Sequence, residues 1–286
     1  MRGLEAVGVV LHPSRDSVEA VAAIMEWSRR CEVQVLALAD EVGRIDADAV
    51  PVSAQQLVEA GLLLGLGGDG TMLRTLRLAD GLDLPVLGVN VGKLGFLAEV
   101  DVPELADALN AIHRGDYTTE PRSAVIAEVD GQRAVAFNDV ALVRTPGTGL
   151  AAVELWVEGE VFVRYAADAV IVATPTGSTA YSFSAGGPLV SPTVQGLLVT
   201  PASPHSAFNR TLVLDTSERV TLAVLPHSGR LAFEVDGMLL GHVEPGQHVH
   251  VRTRPDAARV VRLGGRTFYQ RAQRKLRLQG SAEIDD

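Results

Sequence analysis

Cysteine is nearly absent: Cys31 is the single one in 286 residues. That excludes an internal disulfide and a cysteine-based zinc site, and it fits a reducing compartment. Lysine stands at only two positions, Lys93 and Lys275. Positive charge as a whole is scarce, with 25 Lys+Arg against 35 Asp+Glu and a formal net charge of -10. Such a surface disfavours non-specific binding to nucleic acid or anionic membranes. Long apolar runs are missing too. The first, at residues 6–11, is too short for a signal-peptide core or a bilayer span. We expect a cytoplasmic protein with no nucleic-acid and no membrane partner.

What is present reads as globular. Hydrophobic residues make up 47% and charged residues 21%. The length suits one large domain or two modest ones.

Two patterns divide the chain. The first ~115 residues alternate short apolar runs with helical stretches, as parallel βα units do. Strands are expected at 7–11, 33–38, 62–66 and 85–89, and helices at 14–30, 71–79 and 103–113. From about residue 118 the period changes to two. Strands are expected at 125–129, 134–137, 153–157, 161–165, 211–214, 220–224, 231–235, 248–251 and 260–263. Turns fall at Asp130-Gly131, Glu158-Gly159 and Asp236-Gly237. A stretch rich in Gly, Ser and Thr at 174–192 interrupts this. Residues 268–278 return to helical spacing and carry Arg271, Arg274, Lys275 and Arg277. A charge run of that kind reads most simply as a solvated helix face.

Gly67-Gly68-Asp69-Gly70-Thr71 lies between a buried strand and a helix. Glycines there let the backbone turn sharply and approach a ligand, and the helix N-terminus offers N–H groups to an anion. A plain strand-to-helix turn would use the same residues. The run from Gly65 to Gly70 formally matches G-x-G-x-x-G. However, it follows the third expected strand, and Asp69 would repel a pyrophosphate cradled there. The run from Gly88 to Lys93 is not a P-loop: three residues separate its glycines, and Leu94 follows the lysine. Asp69 makes better sense as a working carboxylate that accepts or orients a hydroxyl proton beside bound phosphates, with magnesium arriving on the donor.

The segment from Thr174 to Pro188 gathers Ser and Thr hydroxyls and glycines around Tyr181. It reads either as a capped helix start or as a nucleotide pocket with an aromatic face. Asn138-Asp139 reads as a turn, or as an amide and a carboxylate for a base and a ribose. Asp168 sits among Ala166, Ala167, Ala169 and Val170, so it needs a partner or a ligand if buried. His205 reads as a loop histidine. His12 ends the first strand, where parallel sheets bind ligands.

Together these stretches resemble the NAD kinase family. The matching runs are GGDGT at 67–71, PVLGVNVGKLGFLAE at 85–99, FNDVAL at 137–142, ATPTGSTAYSFSAGGPLVSP at 173–192, TPASPHSAFNR at 200–210 and FYQRAQRKLRL at 268–278. GGDG also occurs in diacylglycerol, sphingoid and phosphofructo-type kinases; the long run around Tyr181 is far more specific. The resemblance implies a Rossmann-like α/β N-terminal domain with a parallel sheet (1–117) and an all-β, sandwich-like NAD-binding domain (118–265). A C-terminal helix and tail (266–286) would return to the first domain. It implies transfer of the γ-phosphoryl of ATP, or a phosphoryl of polyphosphate, to the adenosine ribose 2′-hydroxyl of NAD. Asp69 would be the catalytic carboxylate. Gly67, Gly68, Gly70 and Thr71 would cradle phosphates, with Gly70 and Arg74 also meeting NAD. Asn138 and Asp139 would hold adenine and ribose, and Asp168 the nicotinamide side. Thr179, Ala180, Tyr181 and Ser184 would line the dinucleotide, with Ser203 and Met238 at its edges. Magnesium or another divalent cation would accompany ATP, and a homodimer or homotetramer is expected. Asp139 replaces a usual glutamate, and Met238 and Gly149 stand where polar residues are common.

Overall fold

The computed structural model describes residues 4–46, 48–92, 95–147, 149–265 and 267–278. Lys93 and Leu94, at the end of the glycine run from Gly88, lie outside the described residues. Along the chain come β1 (Ala6–Leu11), α1 (Val18–Cys31), β2 (Gln34–Leu38), β3 (Val50–Val52), β4 (Leu62–Gly67), α2 (Asp69–Leu78), β5 (Pro85–Asn90), β6 (Val100–Asp101) and α3 (Leu105–Arg114). Then follow β7 (Thr118–Val129), β8 (Gln132–Ala136), β9 (Asp139–Arg144), β10 (Ala151–Val157), β11 (Glu160–Ala167), β12 (Ala169–Ala173), α4 (Tyr181–Ser184) and β13 (Leu197–Ala202). The last elements are β14 (Leu212–Leu214), β15 (Val220–Val224), β16 (Leu231–Val235), β17 (Met238–Val243), β18 (His248–Arg262) and α5 (Phe268–Leu276). The chain divides into two compact units, Met1–Glu120 with Ala258–Asp286, and Pro121–Ala257.

The first unit carries a parallel sheet in the order β3-β2-β1-β4-β5. The order reverses between β1 and β4, so the crevice past their carboxyl ends is the topological switch point where such sheets bind ligands. β4 is LLLGLG and wholly buried, as a central parallel strand covered on both faces must be. Val7, Val9, Leu62, Leu64, Leu87, Ile24, Trp27 and Leu109 share one core with it. Burying each large side chain contributes roughly 1.5–3 kcal/mol. Residues 258–265, expected with the β-rich domain, fall in this unit because Arg259 and Val260 pair with Pro85 and Val86. Helix α1 begins four residues later than the expected 14. The Nδ1 of His12 accepts the N–H groups of Ser14 and Arg15, and the Asp16 carboxylate accepts that of Val18, which holds a loop in place.

The second unit is a β-sandwich. One sheet runs β14-β13-β12-β9-β16-β17, antiparallel throughout. The other contains β11, β10, β15 and the start of β18, and β7 and β8 form a hairpin. Val140, Leu142, Val170, Val172 and Val199 of the first sheet share a core with Val153, Leu155, Leu222 and Val249 of the second. The opposite face of the first sheet is covered as well: Ala141, Ile171, Ala173 and Leu198 pack with Tyr181, Ala185 and Val190. Strands β9, β12 and β13 are therefore buried on both faces, which is why no period-two alternation marks them in the sequence. No helix among the described residues is long and apolar enough to cross a membrane.

Candidate functional site

The predicted residues fall into two groups, one in each unit. In the first unit Gly67 ends β4, Gly68 is the N-cap of α2, and Asp69 is its first residue. Of the glycines in this turn, Gly67 is the one that packing demands. A Cβ on Gly67 would stand 2.2 Å from Oγ1 of Thr71 and 3.2 Å from Cβ of His12. Thr71 is 3% exposed, and its hydroxyl has no hydrogen-bond partner among the described residues. Gly70 faces open space. His12 follows β1 and donates its N–H to the Leu66 carbonyl at 2.9 Å, at the switch point. Its pKa is lowered by burial and then by the neighbouring Arg15 and Arg44, which favours the neutral imidazole.

Asp69 is held on three sides. Its Oδ1 accepts the backbone N–H groups of Phe96 (2.9 Å) and Leu97 (3.0 Å). Its Oδ2 accepts Nζ of Lys275 at 2.7 Å. Gly95 makes this possible, since a Cβ there would lie 2.3 Å from Oδ1. The carboxylate remains 29% exposed, reachable by a ligand. Arg74 points elsewhere. Its Nη1 pairs with the buried Glu41 and donates to the Leu11 carbonyl at 3.3 Å, while Glu41 Oε2 accepts the Leu11 N–H at 2.8 Å. Arg74 thus braces the end of β1.

The basic tail is not simply a solvated face, contrary to the reading from its charge run. Arg271 is 3% exposed and bonds Glu99 at 3.1 Å. Glu99 also takes Arg262 at 2.8 Å. Burial lowers the Arg271 pKa first, then repulsion from Arg262, with Glu99 opposing both.

In the second unit Asp139 opens β9 rather than sitting in a turn, and it is 4% exposed. Burial, then the charge of Asp236, pushes its carboxyl up to about 7; the Tyr181 N–H opposes this and Glu234 adds to it. Asp236 accepts the N–H groups of Phe137 (3.3 Å), Asn138 (2.7 Å) and Asp139 (3.3 Å), which fixes the half-buried Asn138 and its neighbours. Thr174 tightens the same corner, with its Oγ1 donating to the Phe137 carbonyl at 2.6 Å. Gly177 packs so close that its Cβ would stand 2.1 Å from the Asn138 carbonyl oxygen.

Tyr181 opens α4, and its hydroxyl pKa is raised by burial and then by Glu234, Asp168 and Asp139. The fold therefore draws Asp139, Asp168 and Tyr181 into one electrostatic cluster. Asp168 is not buried despite its apolar neighbours, its side chain being 40% exposed, and Nε of Arg144 lies 2.5 Å from its Oδ1. Thr179 bonds the Thr176 carbonyl at 3.3 Å, the Ala180 N–H bonds Gly177 at 2.9 Å, and the exposed Ser184 turns its hydroxyl to the Ala180 carbonyl at 3.4 Å. Ser203 is exposed at the end of β13 with φ of +46°, a strained backbone for a serine. Met238 begins β17 with 52% exposure. No described hydrogen bond ties the Ser203 hydroxyl to the cluster. His205 anchors its loop by donating its N–H to Ala166 at 2.7 Å.

The residues missed by sequence reading are Glu41, Gly95, Glu99, Arg144, Gly177, Glu234, Asp236 and Lys275. Asp236 was half of a turn dipeptide, Gly177 lay inside the 174–188 segment, Gly95 and Glu99 inside the run at 85–99 and Lys275 inside the basic run, whereas Glu41, Arg144 and Glu234 carried no local signal. A separate cleft of about 370 Å³, lined by Leu4, Glu5, Gly61 and Tyr117 among others, opens at the amino ends of β1 and β4 and holds no residue of either group.

Comparison with known proteins points to one family. The ATP-NAD kinase N-terminal domain matches residues 7–117, and the ATP-NAD kinase C-terminal domain matches residues 137–263. The NAD kinase of Heliobacterium modesticaldum is 39% identical over 96% of this chain and 99% of its own length. NAD kinase 1 of Streptomyces coelicolor is 35% identical over 96% of this chain and 86% of its own. Among solved structures, yeast NADH kinase complexed with NADH matches with a TM-score of 0.85 at 26% identity, covering 99% of this chain and 91% of that one. An NAD kinase from Archaeoglobus fulgidus in complex with ATP matches with a TM-score of 0.73 at 23% identity over 96% of this chain and 100% of that one, a likeness of fold alone. With both family domains matched in order and full-length relatives above 30% identity, this chain belongs to the NAD kinase family of phosphotransferases.

Proposed function

We propose that this protein transfers the γ-phosphoryl group of ATP to the 2′-hydroxyl of the adenosine ribose of NAD, forming NADP and ADP. The observation that carries the reading is the geometry of Asp69. Its carboxylate is aimed by two backbone N–H groups and a lysine, sits at the first turn of α2, and stays open to a ligand. In the reaction the 2′-oxygen attacks the γ-phosphorus while the bond to the β–γ bridging oxygen breaks. The hydroxyl proton passes to Asp69, and ADP leaves. Gly67, Gly68, Gly70 and Thr71 would serve the donor phosphates, where the turn and the helix N-terminus supply N–H groups. A divalent cation, magnesium first, would enter on those phosphates as part of the substrate.

Asn138 and Asp139 would hold adenine and ribose. Asp168, with Arg144, would face the nicotinamide side. Thr179, Ala180, Tyr181 and Ser184 would line the dinucleotide, with Ser203 and Met238 at its margin. An Asp139 carboxyl raised to about 7 is protonated in part at neutral pH, so it can donate as well as accept a hydrogen bond to a ribose hydroxyl. Arg74 would reach NAD only by leaving Glu41 or by sharing its guanidinium. A homodimer or homotetramer in the cytoplasm completes the reading. The exposed Met238, Leu239 and Leu240 on edge strand β17 are apolar surface suited to a second copy.

The test is incubation of the purified protein with NAD, ATP and magnesium, with product read by an NADP-specific dehydrogenase. Parallel arms replace ATP with polyphosphate, NAD with NADH, and magnesium with chelator. Product in the first arm and none with chelator is expected. No product from any donor and acceptor pair would overturn the reading.

A further inference from the structure

Lys275 is one of two lysines in the chain, and nothing in the assigned chemistry uses it. It sits on α5, which is built to deliver it. Thr267 and Gln270 close a capping box at the start of the helix, satisfying N–H groups at its first turn. Arg271, one turn on, is buried and tied to Glu99. Lys275 follows Arg271 by four residues and so shares its face of the helix. The anchor therefore sets where the lysine goes. Its Nζ lies 2.7 Å from Oδ2 of Asp69, across 206 positions of sequence, and 4.4 Å from the centroid of the Phe96 ring.

One short stretch links these contacts. Phe96 and Leu97 give their N–H groups to Asp69 Oδ1, and Phe96 also lends its ring face to Lys275. Glu99, two residues on, receives Arg271. The stretch thus touches both the first turn of α2 and α5. Asp69 has both oxygens engaged, Oδ1 by backbone and Oδ2 by Lys275, so the direction of its remaining lone pair is set by a side chain of the last helix. A carboxylate with one oxygen unrestrained could still rotate about its Cβ–Cγ bond. An ammonium on the second oxygen removes that freedom while leaving a lone pair for a hydroxyl proton.

We propose that Lys275 is a positioning residue of the phosphoryl-transfer site, acting through Asp69 by fixing the rotation of its carboxylate. This rests on Asp69 being the catalytic carboxylate. Misplacing a reacting group by about 1 Å can cost roughly 100-fold in rate. Loss of Lys275 should therefore fall on kcat, with KM for NAD little changed.

The experiment compares kcat, KM and thermal midpoint for wild type, Lys275→Gln, Lys275→Arg, Asp69→Asn and the double variant, with Arg274→Gln as a neighbouring control on the same helix. The expected result has four parts. Lys275→Gln lowers kcat by at least ~10-fold, at a midpoint within a few degrees of the Arg274→Gln control. Lys275→Arg restores most of the rate. Lys275→Gln causes no further loss in the Asp69→Asn background, the non-additivity expected of groups that act as a unit. KM for NAD stays within about threefold. Full activity in Lys275→Gln would overturn the proposal, and an inactive Asp69→Asn beside it would leave the role of Asp69 standing. Equal losses in both backgrounds, or a loss that follows a collapsed midpoint, would overturn it as well. Wild-type turnover in Asp69→Asn would instead remove the reading on which the proposal rests.

Discussion

Asp139→Asn should change how the stability of the second unit depends on pH. The carboxyl is 4% exposed and raised to about 7 from the ordinary 3.8. A folded-state value above the unfolded one means that the folded protein holds the proton more tightly. Below pH ~3.8 both states are protonated and nothing is lost. As pH rises towards 7, the unfolded chain releases its proton first, so stability falls; above 7 the loss levels off. The full cost is about 4 kcal/mol, from roughly three pH units at about 1.36 kcal/mol each. Between pH 5 and pH 8 about 3 kcal/mol of it should appear. Asparagine keeps an acceptor for the Tyr181 N–H and cannot ionise, so it should lack this slope. Urea unfolding at 25 °C, followed by Trp156 on β10, gives both proteins' stabilities at each pH. The variant should gain on wild type as pH rises from 5 to 8, while losing affinity for NAD. Parallel pH profiles would show that Asp139 is not held protonated by the fold.

Other perturbations test the first unit. Gly95→Ala should place a methyl group where Oδ1 of Asp69 now lies, 2.3 Å from the new Cβ, and displace the carboxylate. We expect turnover to fall about 10- to 100-fold with little change in thermal midpoint, and unchanged turnover would mean the clamp is unnecessary. Glu99→Gln removes the shared partner of Arg271 and Arg262, whose side chains are 4% and 13% exposed. Arg262 keeps Glu120 at 3.2 Å, but taking the carboxylate from the buried Arg271 should cost about 3 kcal/mol and loosen α5, read as a lower midpoint and faster exchange of its amides. A midpoint equal to wild type would refute that anchoring.

Sequence reading went furthest where local pattern and tertiary environment agree. The leucine run of β4, the glycine turn after it and the aspartate inside the turn were legible, because a central parallel strand and a strand-to-helix turn each restrict their residues strongly. Strands β9, β12 and β13 were not, because the segment around Tyr181 covers the face that would otherwise be polar. Asn138-Asp139 resembled a turn because its neighbours in space are hidden: Asp236, almost a hundred residues on, supplies the acceptors that let the backbone enter a strand there. Lys275 and Gly95 owe their roles to a contact spanning 206 positions and to a missing Cβ, and neither leaves a local periodicity. The apolar neighbours of Asp168 suggest burial, yet its side chain is 40% exposed, and its pairing with Arg144 is visible only in the fold.

The most direct test is to measure NADP formation and NAD binding together for wild type and Asp69→Asn, with ATP and magnesium present for the former and calorimetry for the latter. If Asp69 takes the 2′-hydroxyl proton, the variant binds NAD as wild type does and loses at least ~100-fold in turnover, the scale of a lost general base. Turnover within a few-fold of wild type would contradict it.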